Sequence, residues 1–309
     1  MRVIYENLPS KRIDCIATIG VFDGVHLGHK FLFDRLSVLA SQSGLSSLAI
    51  TFDILPEKIL SNDFCGSLTD IEAKQFLISQ FGLDMLWVLK TDAKLLSLSA
   101  DSFLKVVTSS FNIKRLVVGD DFRFGNQAKE DITYLQKVSS RYGFEVESLK
   151  KQRINGQIIS STLIRDLIRK SSFAQAESFL GHQYRLRGRV VKGLGIGKKL
   201  GFPTLNIYPF DYIIPKSGVY SGYVWAEGKK YPAAFNIGTR PTLVNLGQEI
   251  VEAHLIGFKK NILGDVVELE FVERLRDENK FRSHQELKAA IAADVKRVRT
   301  KYSAKNNDN

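Results

Sequence analysis

The sequence predicts an α/β protein in two parts: a parallel sheet flanked by helices, then a small antiparallel sheet or closed barrel finished by one helix. Three observations carry this. Over residues 1–180, strand-like apolar runs alternate with amphipathic helical ones, the pattern of a parallel sheet that binds ligands at the carboxyl ends of its strands. Past residue 180, helical periods give way to short alternating runs broken at glycine-containing turns such as Glu227-Gly228, as in an antiparallel barrel. Finally, Leu287, Ile291, Val295 and Val298 repeat at helical spacing behind the capping-box pattern Ser283-His284-Gln285-Glu286.

The elements follow in order. Ile13 to Ile19 is a buried strand, and Leu32, Leu36, Leu39 and Ala40 line one face of a helix over His29 to Ala40 that stops at Gly44. Ser46 to Phe52 and Met85 to Leu89 are strands; between them Thr69-Asp70-Ile71-Glu72 reads as a capping box opening a helix with Phe76 and Leu77. Ile113 to Val118 is a strand, followed by a loop, a helix through Tyr134 and Leu135, and a last strand over Phe144 to Leu149. In the second part the strands are Tyr184 to Val191, Val219 to Ala226, Tyr231 to Ile237, Ile250 to Phe258 and Val266 to Val272. Domains are expected over 1–180 and 181–303, with 304–309 a polar tail and Lys296, Arg297 and Arg299 on a solvated helix face.

Three hundred and nine residues suffice for two cores. No apolar run is long enough to span a membrane, and the first residues lack the apolar core of a signal peptide. Cys15 and Cys65 are too few for a disulfide framework or a zinc pattern. A cytoplasmic location is the expectation. The net charge of +11 is compatible with nucleic acid or with small anions; with no RNA-binding or zinc-finger signature beside it, small anionic substrates are preferred, with neither nucleic acid nor membrane as partner. The sequence leaves the oligomeric state open.

The most informative segment is Gly20-Val21-Phe22-Asp23-Gly24-Val25-His26-Leu27-Gly28-His29, which joins the first strand to its helix. Helix N-termini bind phosphate through free N–H groups and the dipole, glycines allow close backbone approach, and imidazoles donate to charge developing at phosphorus. The segment resembles the HxGH signature of the nucleotidyltransferase superfamily. Asp121-Phe122-Arg123-Phe124-Gly125 follows another strand, and Ile159-Ser160-Ser161-Thr162-Leu163-Ile164-Arg165 offers hydroxyls and a guanidinium at a helix start. A plain helix cap is the alternative use of those hydroxyls. Together, and in this order, the three segments resemble the adenylyltransferase domain of bacterial bifunctional riboflavin kinase/FAD synthetases. The resemblance implies a Rossmann-like fold and catalytic contacts to ATP phosphates from His26 and His29. It implies further phosphate binding around Gly20, Phe22, Asp23, Gly24, Gly28, Ser161, Thr162 and Arg165, with Asp121, Phe122, Arg123 and Phe124 along the flavin. The chain departs from the family pattern at Ile54-Leu55, where Pro-His is usual, and at Asn126 to Asp131, which lacks a basic pair and has Glu130 in place of a glycine.

A second constellation runs from Gly193 to Asn206. Its glycines suit phosphates, a lysine offsets charge, and Thr204 and Asn206 offer the hard oxygens that Mg²⁺ prefers. With Pro215 to Tyr220, Asn236 to Thr242, Val251 to Leu255 and Leu275 to Phe281, it resembles the flavokinase domain. That family is a Greek-key β-barrel with a C-terminal helix. The resemblance places ATP at Gly195, Gly197, Lys198 and Gly201, Mg²⁺ at Thr204 and Asn206, the catalytic carboxylate at Glu252, and flavin at Arg276. Leu205 and Lys198 replace the family's usual Ala and Arg. Alternation along the strand puts Glu252 and His254 on one face. The expectation is phosphorylation of riboflavin to FMN with ATP and adenylylation of FMN to FAD with release of pyrophosphate. The alternatives are a flavokinase with a weak adenylyltransferase domain, and a non-catalytic flavin- or RNA-binding regulator.

Overall fold

A computed structural model describes residues 1–6, 8–238 and 250–303; the tail over 304–309 and the Thr239 to Thr242 part of the resemblance lie outside them. The chain divides into two compact units, one of Met1–Leu163 with Phe179–Gly181, the other of Ile164–Ser178 with His182–Asn309.

The first unit opens with β1 (Arg2–Ile4), β2 (Asp14–Ile19), α1 (Leu27–Ser43), β3 (Ser46–Phe52), α2 (Pro56–Leu60) and α3 (Ile71–Ser79). It continues through β4 (Met85–Leu89), α4 (Ala93–Leu96), α5 (Ala100–Ser110), β5 (Asn112–Gly119), β6 (Arg123–Phe124), β7 (Glu130–Asp131), α6 (Ile132–Val138), β8 (Glu145–Leu149), β9 (Arg153–Ile154) and β10 (Gln157–Ile158). Six strands form one sheet in the order β1-β4-β3-β2-β5-β8, every pair parallel. Because strand side chains alternate, β2 feeds two cores. Cys15, Ala17 and Ile19 pack with Phe103, Leu104 and Leu135 on one face. On the other, Ile16 packs with Leu32, Phe33, Leu36 and Leu39 of α1. The chain leaves β2 toward β3 on one side while β5 pairs on the other. Such a reversal of strand order opens a crevice at the carboxyl edge, and the first site lies there.

Two helices, α7 (Ser161–Arg169) and α8 (Phe173–Leu180), precede the second sheet. It comprises β11 (Arg185–Val191), then α9 (Ile196–Lys199), β12 (Leu205–Pro209), β13 (Gly218–Ala226), β14 (Lys229–Ile237), β15 (Val251–Leu255) and β16 (Val266–Arg276), and α10 (His284–Ser303) closes it. The six strands form a closed antiparallel barrel, β11-β12-β15-β14-β13-β16, in which β12 skips to β15 as a Greek key requires. Phe173 stacks on Phe271 with centroids 5.8 Å apart, and the Ser171 hydroxyl lies 2.9 Å from that of Tyr220. So the segment before Gly181 contributes to the core of this unit.

Local chemistry explains where the elements depart from the sequence reading. The cap of α3 is Asp70, which accepts from Ala73 N–H at 2.8 Å, rather than Thr69. The Thr69 hydroxyl is taken by Gly24 N–H, at 3.0 Å. Helix α1 starts at Leu27, so His29 lies inside its first turn. Strand β12, which is not among the alternating runs of the sequence, pairs with both β11 and β15. Glu286 N–H bonds Ser283 Oγ at 3.1 Å, but the Glu286 carboxylate reaches the N–H of Arg282 rather than that of Ser283.

Candidate active sites

The first site is a cavity of about 520 Å³ at the carboxyl edge of the parallel sheet. The ends of β2 and β5 (Ile19-Gly20 and Gly119) form its floor, and His26 and His29 enter from α1. The two histidines form a reciprocal cap. His29 N–H donates to His26 Nδ1 at 3.3 Å and His26 N–H to His29 Nδ1 at 3.2 Å, and the rings stack 3.5 Å apart. With each Nδ1 accepting from the main chain, the neutral rings carry their proton on Nε2 and can donate it to an anion. Burial, then the neighbouring His26 and Lys74, hold the His29 pKa well below its usual 6.5. His29 therefore acts as an uncharged donor at neutral pH. Phe22 packs edge-on against His29, 5.3 Å away, and fixes its plane.

Gly20, Phe22, Gly28, Ser161 and Thr162 all line this cavity, as do Asp121, Phe122, Arg123 and Phe124 from the segment after β5. Phe122 and Phe124 stack at 5.5 Å, an apolar wall suited to a planar ring. Asp121 pairs with Lys151 at 2.8 Å, and Arg123 donates to the carbonyls of Ala128 and Lys129. Three of the expected residues stand elsewhere. Asp23 is 2% exposed, and its carboxylate accepts from the N–H groups of Leu68 and Thr69 at 2.9 and 3.2 Å. Its carbonyl accepts from Ser161 Oγ at 2.9 Å. Asp23 and Gly24 thus fasten the glycine segment to the loop before α3, outside the cavity wall. Arg165 is buried in the second unit and does not line the cavity.

Of the departing segments, Gln127 and Ala128 of the β6–β7 loop reach the wall and Ile54 and Leu55 do not; Leu55 is buried as the cap residue of α2, whose Pro56 and Leu60 line the cavity. Sequence reasoning missed Lys74, 1% exposed on the same helical face as Ile71 and Ile78. A lysine at an apolar-face position is the signal that could have found it.

The second site is a cavity of about 280 Å³ on the barrel. Gly197, Thr204, Glu252 and Arg276 line it, together with His254, Asn236 and the apolar face of α10. Register puts Asn206 opposite Glu252 on β15, and Asn236 opposite Glu252 from the other side. His254 shares the face of Glu252, but its Nδ1 lies 2.8 Å from the Pro203 carbonyl, which occupies it in holding the Phe202-Pro203 segment. A side chain at Gly193 would overlap the Asn206 amide, and one at Gly197 the Phe202 carbonyl. Both glycines therefore permit close approach. Gly195 and Gly201 supply the left-handed turns, φ 69° and 89°, on either side of α9, and Lys198 lies in its last turn. Arg276 is clamped by Asp294 of α10, with Nη2 to Oδ2 at 2.8 Å. Asp294 was not foreseen, although a carboxylate beside the apolar stripe of α10 was its signature.

The comparisons with known proteins agree with this division. The FAD synthetase family matches residues 8–163 and the riboflavin kinase family residues 180–302. The bifunctional riboflavin kinase/FMN adenylyltransferase of Escherichia coli (strain K12) is 35% identical over 297 residues, 95% of each chain. The chain belongs to the bifunctional riboflavin kinase/FMN adenylyltransferase family. Its relative in Pseudomonas fluorescens is 33% identical over 295 residues, again 95% of each chain. A solved structure titled as a macrolide-efflux protein from Streptococcus pneumoniae matches with a TM-score of 0.81 at 26% identity, over 97% of this chain and 99% of that one. Among the residues described here, no helix is long and apolar enough to cross a membrane.

Proposed function

We propose that the two cavities divide the two reactions of the family, the barrel converting riboflavin to FMN and the parallel-sheet unit converting FMN to FAD. The observation that carries the first assignment is the convergence on one cavity of the His26–His29 cap, the Phe122–Phe124 wall and the Ser161-Thr162 start of α7. In that reaction a phosphate oxygen of FMN, already ionised near neutral pH, attacks the α-phosphorus of ATP. The bond to the bridging oxygen breaks and pyrophosphate leaves. A strong base is unnecessary; donors that follow the charge suffice. His26 and His29 donate through Nε2, and Ser161 and Thr162 cradle the phosphates at a helix start.

In the barrel the nucleophile is a neutral ribityl hydroxyl, so a base or an orienting acceptor helps. Glu252 takes that role. It lies in the cavity with Thr204 and has Asn206 and Asn236 as cross-strand neighbours. The oxygens of Thr204 and Asn206 suit Mg²⁺, and among the described residues no cluster of three His, Cys, Asp or Glu side chains forms a protein-only cage. When bound, Mg²⁺ supplies charge neutralisation on the transferring phosphates. The substrates are small anions and a neutral flavin, in keeping with the +11 charge and with cytoplasmic ATP. Incubation with riboflavin, ATP and Mg²⁺, followed by separation of the flavins, tests the reading. FMN and then FAD are expected, FMN alone would remove the adenylyl assignment, and no product would remove both.

A further inference from the structure

Lys74 is the one residue of the apolar face of α3 that chemistry alone does not explain. It is 1% exposed, and its ammonium donates to the carbonyl of Phe52 at 3.1 Å. Phe52 and His29 both line the first cavity and Lys74 does not, so the charge stands directly behind the wall. Three carboxylates face it: Asp23 from the turn after β2, Asp53 from the end of β3, and Asp70 from the cap of α3. Each has main-chain donors of its own, Leu68 and Thr69 N–H for Asp23, Ile54 and Thr91 N–H for Asp53, and Ala73 N–H for Asp70. A methionine would fill the same space without the cost of burying charge. His29 is a titratable group within its field.

We propose that Lys74 is a positioning residue of the adenylyl-transfer site, a buried cation behind the cavity wall that keeps His29 uncharged as a donor and sets the positive field met by the departing pyrophosphate. The proposal rests on the assignment of adenylyl transfer to this cavity. Burial is the larger influence on the ammonium and brings its pKa down to about 8, against the opposing pull of Asp23, Asp53 and Asp70. It is charged at neutral pH and loses its proton just above. Loss of that charge removes attraction for the leaving group and at the same time lets His29 protonate more readily.

Three proteins test this: the full-length chain, Lys74→Met and Lys74→Arg, each assayed for FAD formation from FMN and ATP over pH 6 to 9.5. FMN formation from riboflavin by the barrel is the internal control. For the unaltered chain, kcat for FAD formation falls along an alkaline limb near pH 8, and Lys74→Arg, which cannot lose its charge, flattens that limb. In Lys74→Met, kcat is about tenfold lower near pH 7.5, with the KM for FMN little changed. The deficit shrinks toward pH 9.5, where the lysine is itself neutral. Titration of the His29 imidazole by NMR moves upward in Lys74→Met, whatever reaction the cavity performs. An alkaline limb retained in Lys74→Arg, a deficit constant with pH in Lys74→Met, or an unmoved His29 titration overturns the proposal. If Lys74→Met does not fold, the limb in the other two proteins decides. Absence of FAD from the unaltered chain at every pH would instead reject the adenylyl assignment.

Discussion

His29 occupies the third position of α1, where a glutamine also completes a capping box. Its imidazole has a lower pKa folded than unfolded, so unfolding takes up a proton. The stability it contributes is present above about pH 6.5 and is lost as the pH falls below that value. We expect His29→Gln to keep the cap, to lower FAD formation, and to show a smaller drop in thermal midpoint between pH 7 and 5.5. A drop equal to that of the unaltered chain would contradict the assigned shift. In the barrel, Glu252→Gln preserves shape and removes the proton acceptor. FMN formation should fall by roughly 10²–10⁴-fold while FAD formation from supplied FMN continues, as flavin separation would show. Gly193→Ala places a methyl group against the Asn206 amide and should lower FMN formation with the barrel still folded. At this scale the sequence reading and the structure meet where His26 and His29 line one cavity and Thr204 and Glu252 the other, because residue type and spacing single them out. Lys74 and Asp294 were not read. Both stand on helix faces dominated by apolar residues, where periodicity assigns the position to the core without asking which side chain fills it.

The strands of the parallel sheet were legible nearly to the residue, since Met85–Leu89 is apolar throughout and Ser46–Phe52 carries the apolar run Leu48 to Ile50, as buried parallel strands do. Short elements were not. Strand β1 has three residues, and its hold comes from pairing with β4. Strand β12 ends at a proline and follows glycines, so local pattern gave way to pairing with partners distant in the chain. Helix α2, five residues long with Pro56 at its start, presents Pro56 and Leu60 to the first cavity. The Ile54-Leu55 departure immediately precedes it. Restoring the family residues with Ile54→Pro and Leu55→His should therefore change the KM for ATP or FMN and leave kcat within about threefold, since binding interactions shared by ground and transition states move KM alone. A large rise in kcat at saturating substrates would place the family histidine in the chemical step. Ile54→Pro also removes an N–H donor to Asp53, so the single Leu55→His variant separates that cost from the gain.

At the scale of the whole molecule, the change from helical to alternating pattern marked two units, but not the allegiance of the chain between them. Residues Ile164–Ser178 group with the barrel, because Phe173, 2% exposed, is covered by Tyr220 and Phe271 and the Arg169 carbonyl accepts from Lys216 N–H at 3.3 Å. Helical periodicity cannot report which of two cores a helix completes. A fragment starting at Ser161 should fold and make FMN. One starting at Gly181 lacks Phe173 and should be less stable by about 3–5 kcal/mol, the usual cost of removing a buried phenylalanine side chain, as denaturant midpoints would measure. Equal midpoints would show that the segment adds nothing to the barrel.

The central claim is that two separate sites in one chain perform consecutive reactions on a flavin. A time course of the full-length protein with riboflavin, ATP and Mg²⁺, with riboflavin, FMN and FAD separated at each point, tests it most directly. The account predicts that FMN rises first and declines as FAD forms, and that FMN supplied in place of riboflavin yields FAD without delay. FMN that accumulates and never becomes FAD, or supplied FMN that stays unconverted, would contradict it.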